Sequence, residues 1–125
     1  PVVQTPPVDT TAWKVYTNAE LGIAFMYDPT WKVLPAKKKD GFTVIAIDPG
    51  TKFYNFEIFV GDGYYGLGSV PTEDVTIGGM PGLRAAGAEL YGATVGPRSY
   101  TFDPGSSLTL ADKFSALVST VTFLN

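Results

Sequence analysis

The sequence predicts an α+β fold: a mostly antiparallel sheet with one C-terminal helix packed on it. Three observations predict it. From Trp13 to Leu110 the apolar residues alternate, or run in short blocks separated by Gly, Pro, Asn and Asp, which is the pattern of strands and turns. Only the last segment changes period: Phe114, Leu117, Val118 and Val121 fall at i, i+3, i+4 and i+7, one stripe of an amphipathic helix. With 125 residues, 45% of them hydrophobic and 14% aromatic, the chain can bury the core of one domain.

The first eleven residues, P-V-V-Q-T-P-P-V-D-T-T, stand apart from this pattern. Three prolines there lack the N–H that a sheet ladder needs, and no apolar period runs through them. An unstructured terminus and a semi-rigid stalk both fit the composition. Residues 12–125 are then expected to form a single domain. The start at Pro1 rather than Met implies a processed or trimmed form, with any targeting segment upstream.

Within the domain, Trp13 to Thr17 reads as a strand and Asn18-Ala19-Glu20 as a turn. Ile23, Phe25 and Tyr27 alternate with Ala24 and Met26, a strand with an inward aromatic face, ended by Pro29. Lys37-Lys38-Lys39-Asp40-Gly41 reads as a charged, solvated hairpin turn. Phe42 to Ile47 is apolar enough for a central strand, and Asp48-Pro49-Gly50 closes it with Pro fixing φ and Gly accepting positive φ. Phe53 to Val60 carries apolar residues on both faces, which requires cover on both sides. G-D-G-Y-Y-G-L-G, Gly61 to Gly68, is a long mobile connection. Val75 to Ile77 is a short strand turned by Gly78-Gly79. Leu83 to Leu90, Ser99 to Phe102 and Ser107 to Leu110 complete the strands. Asp112 stands where it can cap the final helix, which should end near Thr120.

Composition excludes more chemistry than it offers. Without His there are no His-based triads and no His metal ligands. Without Cys there is no thiol catalysis, disulfide or cysteinyl zinc site. Net charge is −3, so the basic footprint of a nucleic-acid binder is missing. No apolar run approaches the ~20 residues of a membrane helix, so membrane attachment would come only through an upstream anchor.

The opening W-K-V-Y-T-N-A-E-L-G-I-A-F-M-Y-D-P-T-W resembles the start of PsbP-like domains, W-x-x-Y-x-N-x-x-x-G-I/F-x-F-x-Y-P-x-x-W. Trp13, Tyr16, Asn18, Gly22, Ile23, Phe25, Tyr27 and Trp31 fill the pattern. Ile77-Gly78-Gly79 before Pro81, Tyr100-Thr101-Phe102 and a last helix, Phe114 to Phe123, also match the family, so the resemblance covers most of the chain from Trp13 onward. Asp28 departs from it, standing where the family has Pro, with Pro29 shifted by one. The resemblance implies an α/β/α sandwich around a central antiparallel sheet. Its bacterial lipoprotein members look nearest, which implies an extracytoplasmic protein, tethered to a membrane through an upstream segment. It also implies a non-catalytic binding or assembly module. The acidic, His-free composition does not carry a photosystem role over.

Candidate sites are few. The glycine run lacks the Lys-Ser/Thr ending of a phosphate loop, but Tyr64 and Tyr65, with Asp62 and Leu67, offer flat amphipathic surface for a protein or glycan partner. Asp48, Asp62, Asp74, Asp103 and Asp112 form no calcium-loop array, so no metal or cofactor is expected. Glu57 is the one mid-strand carboxylate that burial could activate; Ser106, Ser107, Lys52 and Lys113 show no catalytic partner. The expectation is therefore no enzyme and a monomer. The alternatives are a small-ligand carrier or carboxylate-based enzyme on the same fold, or a structural component of a surface layer or appendage, recognisable by an apolar patch around Tyr64, Tyr65 and Leu67.

Overall fold

A computed structural model describes residues 8–50, 55–67, 70–86, 89–105 and 110–124; the predicted stalk falls mostly outside them. The fold is mostly antiparallel sheet with one short C-terminal helix, α+β in class.

The first hairpin pairs β1 (Lys14–Asn18) with β2 (Ile23–Tyr27). Its turn is closed by Asn18, whose Oδ1 accepts the Leu21 amide at 2.9 Å. Gly22 follows with φ of 72°, a conformation that costs a residue with a Cβ about 1–2 kcal/mol. After β2, Asp28-Pro29-Thr30 turns the chain: Asp28 Oδ1 accepts the Thr30 amide and hydroxyl at 2.9 and 2.7 Å.

The larger sheet begins with β3 (Lys32–Val33) and β4 (Lys37–Lys39), which pair in succession along the same edge of β5 (Phe42–Asp48). Between them, residues 34–36 oppose only Ile45 and Ala46, a one-residue bulge that accommodates Pro35. The three lysines are thus strand rather than turn. The turn is Asp40-Gly41 alone, with φ of 51° and 85°, the positive-φ pair that a two-residue hairpin demands. Lysines on an edge strand also oppose unwanted strand pairing.

The sheet continues through β6 (Phe56–Gly61), β10 (Arg98–Asp103), β9 (Tyr91–Val95), β8 (Met80–Ala85) and β7 (Thr72–Ile77), in that spatial order and all antiparallel. Two readings from the sequence are corrected here. The strand expected over Leu83–Leu90 instead spans Met80–Ala85, and Pro81 lies inside it, one residue before pairing with β9 begins at Gly82. No strand was expected over Tyr91–Val95, yet β9 is a central one. Ser107 and the residues beside it lie outside the described set, and Leu110 is the residue before the helix.

That helix, α1 (Ala111–Ser119), has Leu110 rather than Asp112 at its N-cap, with no side-chain cap. Asp112 lies in the first turn instead, where a carboxylate favours the helix dipole. The helix stops at Thr120, as expected from its β-branched neighbours. It does not run to Phe123: β11 (Thr122–Phe123) adds to the free edge of β2, completing a three-stranded sheet β1-β2-β11. Thr120 Oγ1 accepts the Met26 amide at 2.9 Å and the Leu124 amide donates to the Gly22 carbonyl at 2.8 Å, fastening the end of the chain to the first hairpin.

The small sheet and α1 together cover one face of the large sheet. Ile23, Phe25, Phe56, Ile58, Tyr100, Phe102, Phe114 and Leu117 are essentially inaccessible and belong to one core. The Phe114 ring lies 4.9 Å from Phe56, which in turn meets Trp31 edge-on at 5.0 Å; Trp13 closes over Trp31 at 5.5 Å. The two tryptophans are therefore packing anchors. Tyr100, buried, donates its hydroxyl to the Leu21 carbonyl at 2.6 Å and ties the two sheets together. Among the described residues α1 is the only helix, so the layer facing the large sheet is a helix plus a small sheet.

Candidate functional site

The apolar core stops before one end of the sandwich. Three turns meet there: the β1–β2 turn, the β4–β5 hairpin and the β9–β10 turn. They border an open cleft of about 540 Å³. Its floor is Leu21 and Val60, both buried, with Ala36 and Pro97 on the sides. Its polar lining includes Lys37, Lys38 and Arg98, with Glu20 and Asp62. Residues from four separate stretches of chain thus contribute to it, and only the fold brings them together.

Strand alternation explains the lining. Tyr100 and Phe102 of β10 point into the core, so Arg98, two residues earlier on the same strand, points the same way but beyond the last core layer. Lys38 pairs with Thr43 in register and its Nζ donates to Thr43 Oγ1 at 2.9 Å, which holds it on the cleft side. Gly61 ends β6 without a side chain; a Cβ there would lie 2.7 Å from the Phe42 ring.

The residues singled out in the glycine run separate. Asp62 lines the cleft. Tyr64, Tyr65 and Leu67 pack on the opposite, outer face of the large sheet. The Tyr65 ring stacks on Phe59 at 4.1 Å, nearly parallel, and meets Phe42 edge-on. The Tyr65 amide donates to Thr101 Oγ1 at 3.0 Å, and the Tyr64 hydroxyl lies 2.6 Å from Thr94 Oγ1. Leu67 is 4% exposed and sits on Gly92, where a Cβ would come within 2.7 Å of its Cδ1. Residues 62–67 are therefore not an open connection but the second cover that the two apolar faces of β6 required. Leu67 offers no surface, whereas Tyr65, stacked on Phe59 by one face, remains 37% exposed. Gly68 lies outside the described residues.

Asp48 and Asp103 accept the amides of Gly50 and Gly105, both at 2.8 Å. Glu57 is half-buried on the outer face and borders a shallow groove of about 260 Å³ with Leu34, Pro35 and Val44. Lys52, Ser106 and Ser107 lie outside the described residues. Among the described residues no three carboxylates gather closely enough to hold a metal ion.

Sequence reasoning missed two polar links. Lys113, which showed no partner in the sequence, donates to Asp28 Oδ2 at 2.9 Å. Burial pushes the Asp28 carboxyl upward, but the Lys113 ammonium and the two Thr30 donors outweigh it and hold it below its ordinary value. In addition, Arg84 bridges Glu73 at 3.3 Å and Glu89 at 2.8 Å, while the Tyr91 hydroxyl donates to Glu89. Burial, aided by the Glu89 carboxylate, raises the Tyr91 phenol above its ordinary range. No short-range signal marks the first link, because Asp28 and Lys113 are 85 residues apart; in the second, register sets Glu73 and Tyr91 on either side of Arg84, and Glu89 joins them from the connection before β9.

No family model, curated protein or solved structure matches this chain.

Proposed function

We propose that this chain is a non-catalytic binding domain of PsbP-like type that works outside the cytoplasm, tethered through an upstream segment, and takes its ligand in the cleft at the open end of the sandwich. The observation that carries the binding reading is the cleft itself. Its volume of about 540 Å³ suits a small molecule or the tip of a larger partner. It also combines an apolar floor with a few convergent polar groups, as ligand sites do. The Trp13-to-Trp31 pattern and the Pro/Thr-rich opening support the family and its placement. The lack of His and Cys supports binding over catalysis.

The test is a thermal-shift screen of small metabolites on the wild type and on an Ala36→Trp variant. Ala36 is exposed at the cleft wall, so the new indole fills the cleft without entering the core. A ligand at ten times its Kd stabilises by about 1.4 kcal/mol, several degrees for a domain of this size. Compounds that raise the wild-type Tm should lose the effect in Ala36→Trp. An equal rise in both proteins, or no rise with any compound, contradicts the reading.

A further inference from the structure

We infer that the cleft holds the oxyanion of a small organic acid, a carboxylate or phosphate monoester, with Arg98 as its anchor; this rests on the cleft being the ligand site.

The first argument is the state of Arg98. Its guanidinium lies over Gly22: a Cβ on that glycine would come within 3.0 Å of Nη1 and 3.1 Å of the Tyr100 hydroxyl. The absent side chain at Gly22 makes room for the guanidinium, and the Tyr100 bond to the Leu21 carbonyl fixes the turn that carries Gly22. The arginine head is thus placed by two sheets rather than left to wave in solvent. It is half-buried, and among the described residues no carboxylate reaches ion-pair distance of it. Glu20 and Asp62 line the same cleft without pairing to it. A partly desolvated cation without a counter-charge is unfavourable, and a bound anion relieves that cost.

Shape and charge define the ligand further. The guanidinium fork matches a carboxylate or phosphate with two parallel hydrogen bonds. Lys38, held on the cleft side by Thr43, adds a second positive charge. Leu21 and Val60 below, with Pro97 beside, give an apolar seat for the ligand's body. Arg98 and Lys38 bring two positive charges to the cleft, beside the carboxylates of Glu20 and Asp62. So few positive charges suit a single anionic head group on a compact apolar body and disfavour an extended polyanion.

The test is an amide chemical-shift titration of the whole chain at constant ionic strength with benzoate, phenyl phosphate and neutral benzyl alcohol. Saturable shifts are expected at Gly22, Gly41 and Gly61 with at least one of the anions, the tighter one naming the head group. Benzyl alcohol should bind at least tenfold more weakly. Arg98→Gln should weaken the anions about tenfold or more, to the level of the alcohol, and Lys32→Gln on β3, away from the cleft, should change nothing. Arg98→Lys keeps the charge without the fork and should lose several-fold, which covers the case in which the glutamine variant does not fold. Equal binding of benzyl alcohol and the anions, or anion binding indifferent to both Arg98 variants, overturns the oxyanion anchor while leaving a binding cleft. No cleft response to any of the three probes overturns both.

Discussion

Cutting the link between Asp28 and Lys113 should loosen the helix from the turn after β2, and its size follows from the geometry. The Lys113 ammonium lies 2.9 Å from Asp28 Oδ2; the aspartate side chain is 11% exposed and the lysine 44%. The pair therefore falls between an exposed ion pair, worth about 0–1 kcal/mol, and a buried one, whose breaking costs about 3–5 kcal/mol. Asp28→Ala removes the ion pair and both Thr30 bonds, and should cost about 2–3 kcal/mol. Asp28→Asn leaves an acceptor for Thr30 and should cost about 1–2 kcal/mol, and Lys113→Ala about 1 kcal/mol. Urea unfolding of the Asp28→Asn and Lys113→Ala single variants and the double variant should give a coupling energy of about 1 kcal/mol at pH 7. The pH dependence has a definite sign. The folded Asp28 carboxyl is held below its ordinary value, so its stabilisation is complete above the unfolded value of about 3.9 and is lost as pH falls through the lower folded one. Additive losses at pH 7, within about 0.3 kcal/mol, would refute the link; so would a coupling that persists after Asp28 is protonated.

Other perturbations address the core, the covering loop and the outlying network. Phe114→Ala opens a cavity against Phe56 and should cost about 3–5 kcal/mol in denaturant unfolding; a loss under about 1 kcal/mol would mean that α1 is not seated there. Gly92→Ala drives a methyl into Leu67 and Tyr64 and should cost about 1–3 kcal/mol by overpacking, with Tyr65 becoming more accessible to solvent quenchers; an unchanged Tm would show that residues 62–67 do not lie on β9. The Tyr91 phenol should ionise later than free tyrosine in an ultraviolet titration. Because its folded value is raised, its contribution to stability is full below about pH 10 and fades as pH rises through the folded value; Tyr91→Phe should abolish that alkaline slope.

Much of the fold was legible because its signals are local. The alternation of Ile23 and Phe25 set the buried face of β2, the two Asp-Pro-Gly turns fell where Asp48 and Asp103 hold them, and the helical stripe of Phe114, Leu117 and Val118 is the buried one. What misled the reading was composition seen without its neighbours. Lys37 to Lys39 look like solvated turn chemistry, yet they form an edge strand whose pairing partner supplies the apolar half. Gly92 makes residues 91–95 look like a break, and its reason, the Leu67 side chain lying on it, is 25 residues away in the chain. The Tyr64-Tyr65 pair looks like free surface, and Tyr65 is in part exposed, but a sequence does not show that its ring also covers Phe59. The cleft was the least legible feature. Asn18, Lys38, Val60 and Arg98 come from four stretches, and Arg98 stands out only once Gly22 is seen beneath it and, among the described residues, no carboxylate beside it.

The most direct test of an oxyanion cleft is a crystal structure of the chain grown with saturating benzoate. The carboxylate should sit on the Arg98 guanidinium with two bonds of about 2.7–2.9 Å, its ring against Leu21 and Val60. Benzoate bound on the outer face, or scattered on surface lysines with the cleft empty, would contradict it.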